Sequence, residues 1–291
     1  MAPRSFTKRM EITLGHTPDA DDAFMFYGFA SGGVPGPDRI KKFEIKHVIQ
    51  DIETLNKRAL AHELDVTAVS AHAYAYLKDY VILRGGGSFG LKYGPAVIAR
   101  KDKGMTPDAL RDATVAIPGR MTSANLLLKL AIGSSFNEKE MSFEAIPQAV
   151  LAGEADAGLV IHEAQITYDK TKFAGVLELG QWWDSQTGGL PVPLGINVAS
   201  TRTMDRVQLE EFSDLFVKSI EYGLDNIDAA VDYAMQYSRG QPKETIKKFV
   251  LMYVNEITRD MGPQGRKAIE KMFSMARERK ILESDVKVDV V

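Results

Sequence analysis

Short apolar runs alternate with amphipathic stretches through the first two-thirds of the chain. Runs at 11–14, 43–49, 66–69, 81–83, 96–99, 114–117, 142–145, 158–161, 176–179 and 195–199 read as strands. Between them, stretches such as 51–62, 122–132 and 148–152 carry the i, i+3/i+4 apolar spacing of helices. Strands alternating with helices of this length predict an α/β fold with parallel or mixed sheets. After about residue 203 the strands stop, and 210–223, 227–237, 243–253 and 264–280 all read as helices. The C-terminal third is expected to be a helical cap.

Residues 59–66, Ala-Leu-Ala-His-Glu-Leu-Asp-Val, parallel residues 150–157, Val-Leu-Ala-Gly-Glu-Ala-Asp-Ala. Both end a helix, turn through acidic residues and enter a short apolar strand. Aligned on Asp65 and Asp156, the two strands run on to Ser70-Ala71-His72 and to Ile161-His162-Glu163. The pattern predicts two related lobes, each presenting polar residues at the carboxyl end of a matching strand, the edge that faces the ligand crevice in open α/β sheets. Tyr93-Gly94-Pro95-Ala96 and Leu194-Gly195-Ile196-Asn197 read as crossings between lobes, since Gly and Pro permit the required turns. The expected division is a discontinuous first lobe, 1–95 with 196–291, and an inserted second lobe, 96–195, with a small-molecule cleft between them.

At 291 residues the chain is long enough for two domains. Its 39 acidic and 36 basic residues leave a net charge of −3, without the basic surplus that a nucleic-acid or anionic-membrane partner requires. There is no cysteine, which excludes disulfides, thiolate metal sites and cysteine nucleophiles. Five histidines are too scattered to suggest a metal cage. No stretch approaches the ~18 apolar residues of a membrane helix. The first ten residues lack an apolar signal core, which predicts a cytoplasmic protein.

Four places carry candidate chemistry. Ile117-Pro118-Gly119-Arg120-Met121-Thr122-Ser123 ends a strand and opens a helix. The Thr122 and Ser123 hydroxyls and the free N–H groups of that helix suit a carboxylate or phosphate, or Thr122 and Ser123 simply cap it. His162 closes an apolar strand, either as a general base facing the crevice or as a hydrogen-bonded core histidine. His72, beside Ser70, has the same two readings, whereas His16, His47 and His62 read as loop or surface residues. In Asp19-Ala20-Asp21-Asp22, Asp21 or Asp22 is expected to cap a helix over 24–29, since the spacing of a calcium loop is missing. Trp182-Trp183 precede a Gly/Pro loop and either flank a flat ligand or pack the lobe's core. No nucleotide-binding glycine fingerprint follows a strand.

These residues carry a resemblance that spans nearly the whole chain. The segment Asp51-Ile52-Glu53-Thr54-Leu55-Asn56, Ser70 with Ala73-Tyr74-Ala75, Gly94-Pro95, and Pro118-Gly119-Arg120 with Thr122 all contribute to it. So do Ile161-His162-Glu163 with Thr167-Tyr168, Leu179-Gly180 with Trp182-Trp183, and Pro191-Val192-Pro193-Leu194-Gly195. Together they resemble the 1,4-dihydroxy-6-naphthoate synthases of the futalosine route to menaquinone. The resemblance implies a two-lobe, type II periplasmic-binding-protein-like fold recruited as a cytosolic carbon–carbon lyase. Cyclic dehypoxanthinylfutalosine would be cleaved to 1,4-dihydroxy-6-naphthoate and dihydroxyacetone. It implies His162 as the base, with Ser70, Thr122, Ser123, Asp21, Asn56 and Trp182 around the substrate. No cofactor and no metal is implied, and the expected partner is a small aromatic carboxylate, with a homodimer allowed. The chain departs from the family pattern at Thr17-Pro18-Asp19-Ala20-Asp21-Asp22-Ala23-Phe24, where relatives usually have Ser-Pro-Cys-Pro-Asn-Asp-Thr-Phe, and at Met121, commonly His. Two other readings compete: a binding protein that captures an aromatic carboxylate without turnover, and a chorismate dehydratase-like enzyme.

Overall fold

A computed structural model of the chain describes residues 9–34 and 42–291. The N-terminal segment read above for an export signal lies, up to residue 8, outside the described residues. The chain begins with β1 (Met10–His16), α1 (Ala20–Ser31), β2 (Phe43–Ile49), α2 (Ile52–Leu60), β3 (Val66–Ser70), the single turn α3 (Ala71–Tyr74), β4 (Tyr80–Ile82) and β5 (Ser88–Gly90). It continues through β6 (Ala96–Arg100), β7 (Thr114–Ile117), α4 (Ser123–Ile132), β8 (Asn137–Glu140), α5 (Ile146–Ala152) and β9 (Ala157–Val160). Next come α6 (Ala164–Thr167), β10 (Phe173–Glu178), α7 (Leu179–Thr187) and β11 (Val192–Ser200). The cap is α8 (Arg206–Asp225), α9 (Ile227–Ala234), α10 (Lys243–Tyr253), α11 (Glu256–Arg259) and α12 (Gly262–Glu278).

Two mixed sheets result. The first has the order β2-β1-β3-β11-β4, with β5 also on β11, and the second the order β10-β6-β9-β7-β8. Taken from its β8 edge, the second sheet repeats the first: three parallel strands, β2-β1-β3 or β8-β7-β9, and then an antiparallel fourth, β11 or β6. The short sequence repeat has the same cause in both places. Asp65 accepts hydrogen bonds from the Thr13 N–H (2.8 Å) and hydroxyl (2.7 Å) on β1, and Asp156 accepts from the Thr114 N–H (2.8 Å) on β7. Each acid ties the start of a fully buried strand to its parallel neighbour. The consequence is functional: β1, β3, β7 and β9 all send their carboxyl ends toward one crevice.

One expected strand is displaced. Residues 142–145 turn into α5, and the edge strand is Asn137–Glu140, Asn-Glu-Lys-Glu, which has no apolar signal to find. Charged residues on an edge strand discourage pairing with another chain. The three-residue β5 gave no pattern at all, and β10 begins three residues before the expected run.

The cap is fastened to the first sheet through α1. Phe26 stacks on Phe216 of α8 with centroids 4.8 Å apart and planes 10° from parallel. Gly28 lets the two helices touch, because a Cβ there would meet the Ser219 backbone at 2.6 Å. Ser219 completes the seam by donating to the Met25 carbonyl (2.7 Å). This packing fixes Arg239, Phe249 and Tyr253 of the cap beside the crevice.

Candidate active site

The crevice is lined by Thr17, Asp19, Asp21 and Asp22 from the β1–α1 turn, and by Ser70 at the end of β3. Thr122, Ser123 and Ala124 come from the start of α4, and His162 and Gln165 follow β9. Asn197 of β11 and Phe249 and Tyr253 of α10 close it. The cavity they enclose is about 110 Å³.

His162 stands at the wall of this space. Its backbone φ is +53°, a left-handed conformation that a non-glycine residue holds only when its surroundings impose it. Nδ1 lies 3.1 Å from the carboxylate of Asp19, and Phe143 meets the ring edge-on at a centroid distance of 4.8 Å. The ring is neither sealed among aliphatic side chains nor free at the surface. The core alternative for His162 is therefore not what the fold contains.

Around it sits a dense set of acids balanced by one guanidinium. Arg239 pairs with Asp19, with Glu163 (3.3 Å) and with Glu144 (3.1 Å), and lies 4.9 Å over the Phe143 ring. Burial pushes the Asp19 carboxyl up, but His162 and Arg239 outweigh it and hold the group below the usual carboxylate range. Asp21 has no such cation. Burial, then the Asp22 and Asp19 carboxylates, drive it well above that range. Burial likewise raises Asp22 to about 6, despite hydrogen bonds from the Thr17 N–H (2.8 Å) and hydroxyl (2.7 Å). Among the described residues no three His, Asp or Glu side chains are grouped as a metal cage.

The start of α4 differs from the expected anion site in one respect. Thr122 is the N-cap: its hydroxyl accepts from the Asn125 N–H (3.2 Å) and donates to the Gly119 carbonyl (2.8 Å). The Ser123 hydroxyl donates to the Leu194 carbonyl (2.5 Å) and accepts from the His72 N–H (3.2 Å). Both hydroxyls are thus engaged by the protein. Ser123 and Ala124 line the crevice, and their first-turn N–H groups are left without carbonyl partners by helix geometry. Oriented N–H groups at a helix start suit an anion without help from a hydroxyl.

Ser70 lines the crevice, and Asn56 holds it from behind. The Asn56 amide donates to Ser70 Oγ (3.1 Å) and accepts from the Ser70 N–H (2.8 Å), so Asn56 supports the wall rather than forming it. Asp21 lines the crevice within the first turn of α1. The helix starts at Ala20, so neither Asp21 nor Asp22 is its N-cap; that position is Asp19. Trp182 is not among the crevice residues: it packs half-buried on the lobe core, and Trp183 is fully buried with Nε1 donating to the Leu190 carbonyl (2.9 Å). His16 is buried at the end of β1, with its ring 5.0 Å from Phe26, and is not a surface residue. Asp19, Arg239, Asn197, Phe249 and Tyr253 were not singled out from the sequence. Two of them come from cap helices and one from an acidic run read as capping.

His72 takes the bland alternative. It is buried outside the crevice, with Nδ1 3.3 Å from the Thr122 carbonyl, and burial pushes it down to about 4. A histidine with a native pKa below its unfolded ~6.5 contributes fully above that pH. The contribution is lost as pH falls toward 4, because the unfolded chain then binds the extra proton. Between pH 7 and 4.5 the loss is about 2–3 kcal/mol. Urea unfolding should show His72→Gln losing that much less stability over this interval than the parent chain. An identical loss in both would mean that His72 is protonated without penalty.

A family model described as menaquinone biosynthesis matches residues 12–278. The chain is 35% identical over 269 residues to the 1,4-dihydroxy-6-naphthoate synthase of Thermus thermophilus, covering 92% of this chain and 94% of that one. A crystal structure of an Archaeoglobus fulgidus protein superposes with a TM-score of 0.86 at 46% identity, covering 94% of this chain and 99% of that one. A Candida albicans protein exhibiting the generic periplasmic binding protein fold superposes with a TM-score of 0.74 at 14% identity, covering 97% of each chain, a likeness of fold alone. Over almost its whole length, then, this two-lobed chain belongs to the menaquinone-biosynthesis family and carries it on a periplasmic-binding-protein fold.

Proposed function

We propose that the chain is a carbon–carbon lyase that converts cyclic dehypoxanthinylfutalosine to 1,4-dihydroxy-6-naphthoate and dihydroxyacetone. The observation that carries this reading is the imidazole of His162, which lines the crevice with Nδ1 3.1 Å from the Asp19 carboxylate, leaving Nε2 as the nitrogen to meet a bound molecule. The substrate carboxylate is placed at the Ser123 and Ala124 N–H groups, which holds the bicyclic ring across the crevice. His162 Nε2 takes the proton of a side-chain hydroxyl. The resulting alkoxide becomes a carbonyl as its bond to the ring carbon breaks. The electron pair passes into the ring, which becomes aromatic on regaining a proton at oxygen or carbon. The substrate's atoms are divided between two products with no change in net oxidation, so the step calls for no nicotinamide or flavin.

The reaction is assigned to the cytoplasm. In support, the family is biosynthetic, and among the described residues no helix is long and apolar enough to cross a membrane. The test is direct: purified protein is incubated with the cyclic substrate and the products are separated by mass. Equimolar naphthoate and dihydroxyacetone are expected. Tight binding with no product would favour the carrier reading, and turnover of chorismate instead would favour the dehydratase.

A further inference from the structure

The acidic turn before α1 holds a group that the reaction as written leaves unused. Asp19 is 1% exposed; its Oδ1 is held by the Arg239 guanidinium, and its Oδ2 lies 3.1 Å from His162 Nδ1. Arg239 is itself held by the Pro18 carbonyl (3.0 Å), Glu163 and Glu144, so the carboxylate cannot swing away from the ring without breaking a buried ion pair. An ionised carboxylate only accepts hydrogen bonds. At 3.1 Å a lone pair on Nδ1 would be repelled by the carboxylate oxygen, which favours the form with the hydrogen on Nδ1 and the lone pair on Nε2.

We propose that Asp19 is a positioning residue that fixes His162 in its Nδ1–H form and so presents a basic Nε2 to the crevice. The two residues belong to different lobes. Asp19 follows β1 of the first sheet and His162 follows β9 of the second, so the pair is complete only while the lobes are together. The charged and titratable groups around the pair were set by the same packing. Asp21 and Asp22 approach from α1, Glu163 from the segment after β9, Glu144 from the turn before α5 and Arg239 from the cap. Arg239 is the only lysine or arginine that reaches Asp19 among the described residues, and with His162 it holds that carboxyl below the usual range while its acidic neighbours are pushed toward the neutral form. A neutral Asp19 would itself have a proton to donate and would no longer select one form of the ring.

The kinetic part of this inference rests on His162 being the base, but the state of its ring does not. Two measurements separate them. In 15N-histidine-labelled wild-type protein at pH 8, the resonance lost in His162→Asn identifies the ring. A protonated-type shift at Nδ1 and an unprotonated-type shift at Nε2 are expected. In Asp19→Asn the two nitrogens should move toward averaged shifts, since an amide accepts from and donates to the ring alike. With the cyclic substrate, Asp19→Asn should lower kcat by about 10²–10⁴-fold and leave KM within about threefold. Hydrogen on Nε2 in the wild type, or Asp19→Asn with kcat within threefold of wild type, overturns the proposal. A wild-type protein that releases no naphthoate overturns the lyase reading instead and leaves the NMR result to decide the role of Asp19. Should Asp19→Asn fail to fold, the wild-type spectrum decides alone.

Discussion

Replacing His162 with asparagine is expected to lower kcat for naphthoate release by about 10²–10⁴-fold, the usual contribution of a positioned general base. Asparagine is the better probe than alanine. The residue sits at φ +53°, and asparagine is among the few side chains that tolerate the left-handed region. The fold should therefore persist while the proton acceptor disappears. Substrate affinity should change little if the carboxylate is held by the start of α4, as proposed above. Single-turnover and binding measurements on the same variant separate the two effects. Loss of binding together with loss of turnover would mean that His162 holds the substrate instead of reacting with it.

The second large effect concerns the anion end of the crevice. If backbone N–H groups hold the carboxylate, removing the Ser123 hydroxyl should matter less than removing its N–H. Ser123→Pro deletes that donor at the first helical position, where proline is well accepted, and Thr122 already has the extended backbone that proline demands of its predecessor (φ −70°, ψ 146°). A hydrogen bond to a charged group is worth about 1.5–3 kcal/mol, so KM should rise by about 10–100-fold. Ser123→Ala removes the same hydroxyl and its bonds to the Leu194 carbonyl and the His72 N–H while keeping the donor. It should lower thermal stability and leave KM within a few-fold of wild type. Equal KM for the two variants would show that the carboxylate is bound elsewhere.

The parts of this site that could be read from the residues share a property: their position follows from a local pattern. His162 closes an apolar run, and a strand's carboxyl end faces the crevice by the logic of the fold. Thr122 and Ser123 open a helix just after a strand, and Ser70 ends the matching strand of the other lobe. The parts that escaped depend on contacts between distant segments. Arg239 lies 220 residues from Asp19 in sequence and reaches it only because Phe26 and Phe216 fasten the cap to α1. Nothing in the run Ser-Arg-Gly-Gln marks it as more than a surface turn. Asp19 was hidden among three acids, any of which suits a helix start, and only the fold shows which one turns toward the imidazole.

The same distinction explains the misassigned elements and roles. Asn137–Glu140 is a strand because β7 offers it an open edge, not because its residues alternate in polarity. The Ser123 hydroxyl is a good anion ligand in isolation, but the returning strand β11 brings the Leu194 carbonyl within 2.5 Å to accept its hydrogen bond. Trp182 stands in a motif carried by the family resemblance, yet α7 turns it onto the lobe core and away from the crevice. For Ser123 and Trp182, a side chain suited to the ligand was engaged first by the protein itself.

A crystal structure of the His162→Asn protein soaked with cyclic dehypoxanthinylfutalosine tests the central claim most directly. The substrate carboxylate should lie within about 3 Å of the Ser123 and Ala124 nitrogens. A hydroxyl beside the bond to be broken should lie where the missing imidazole nitrogen would reach it. A molecule bound the other way round, with its carboxylate on Arg239 and no hydroxyl near residue 162, would contradict the account.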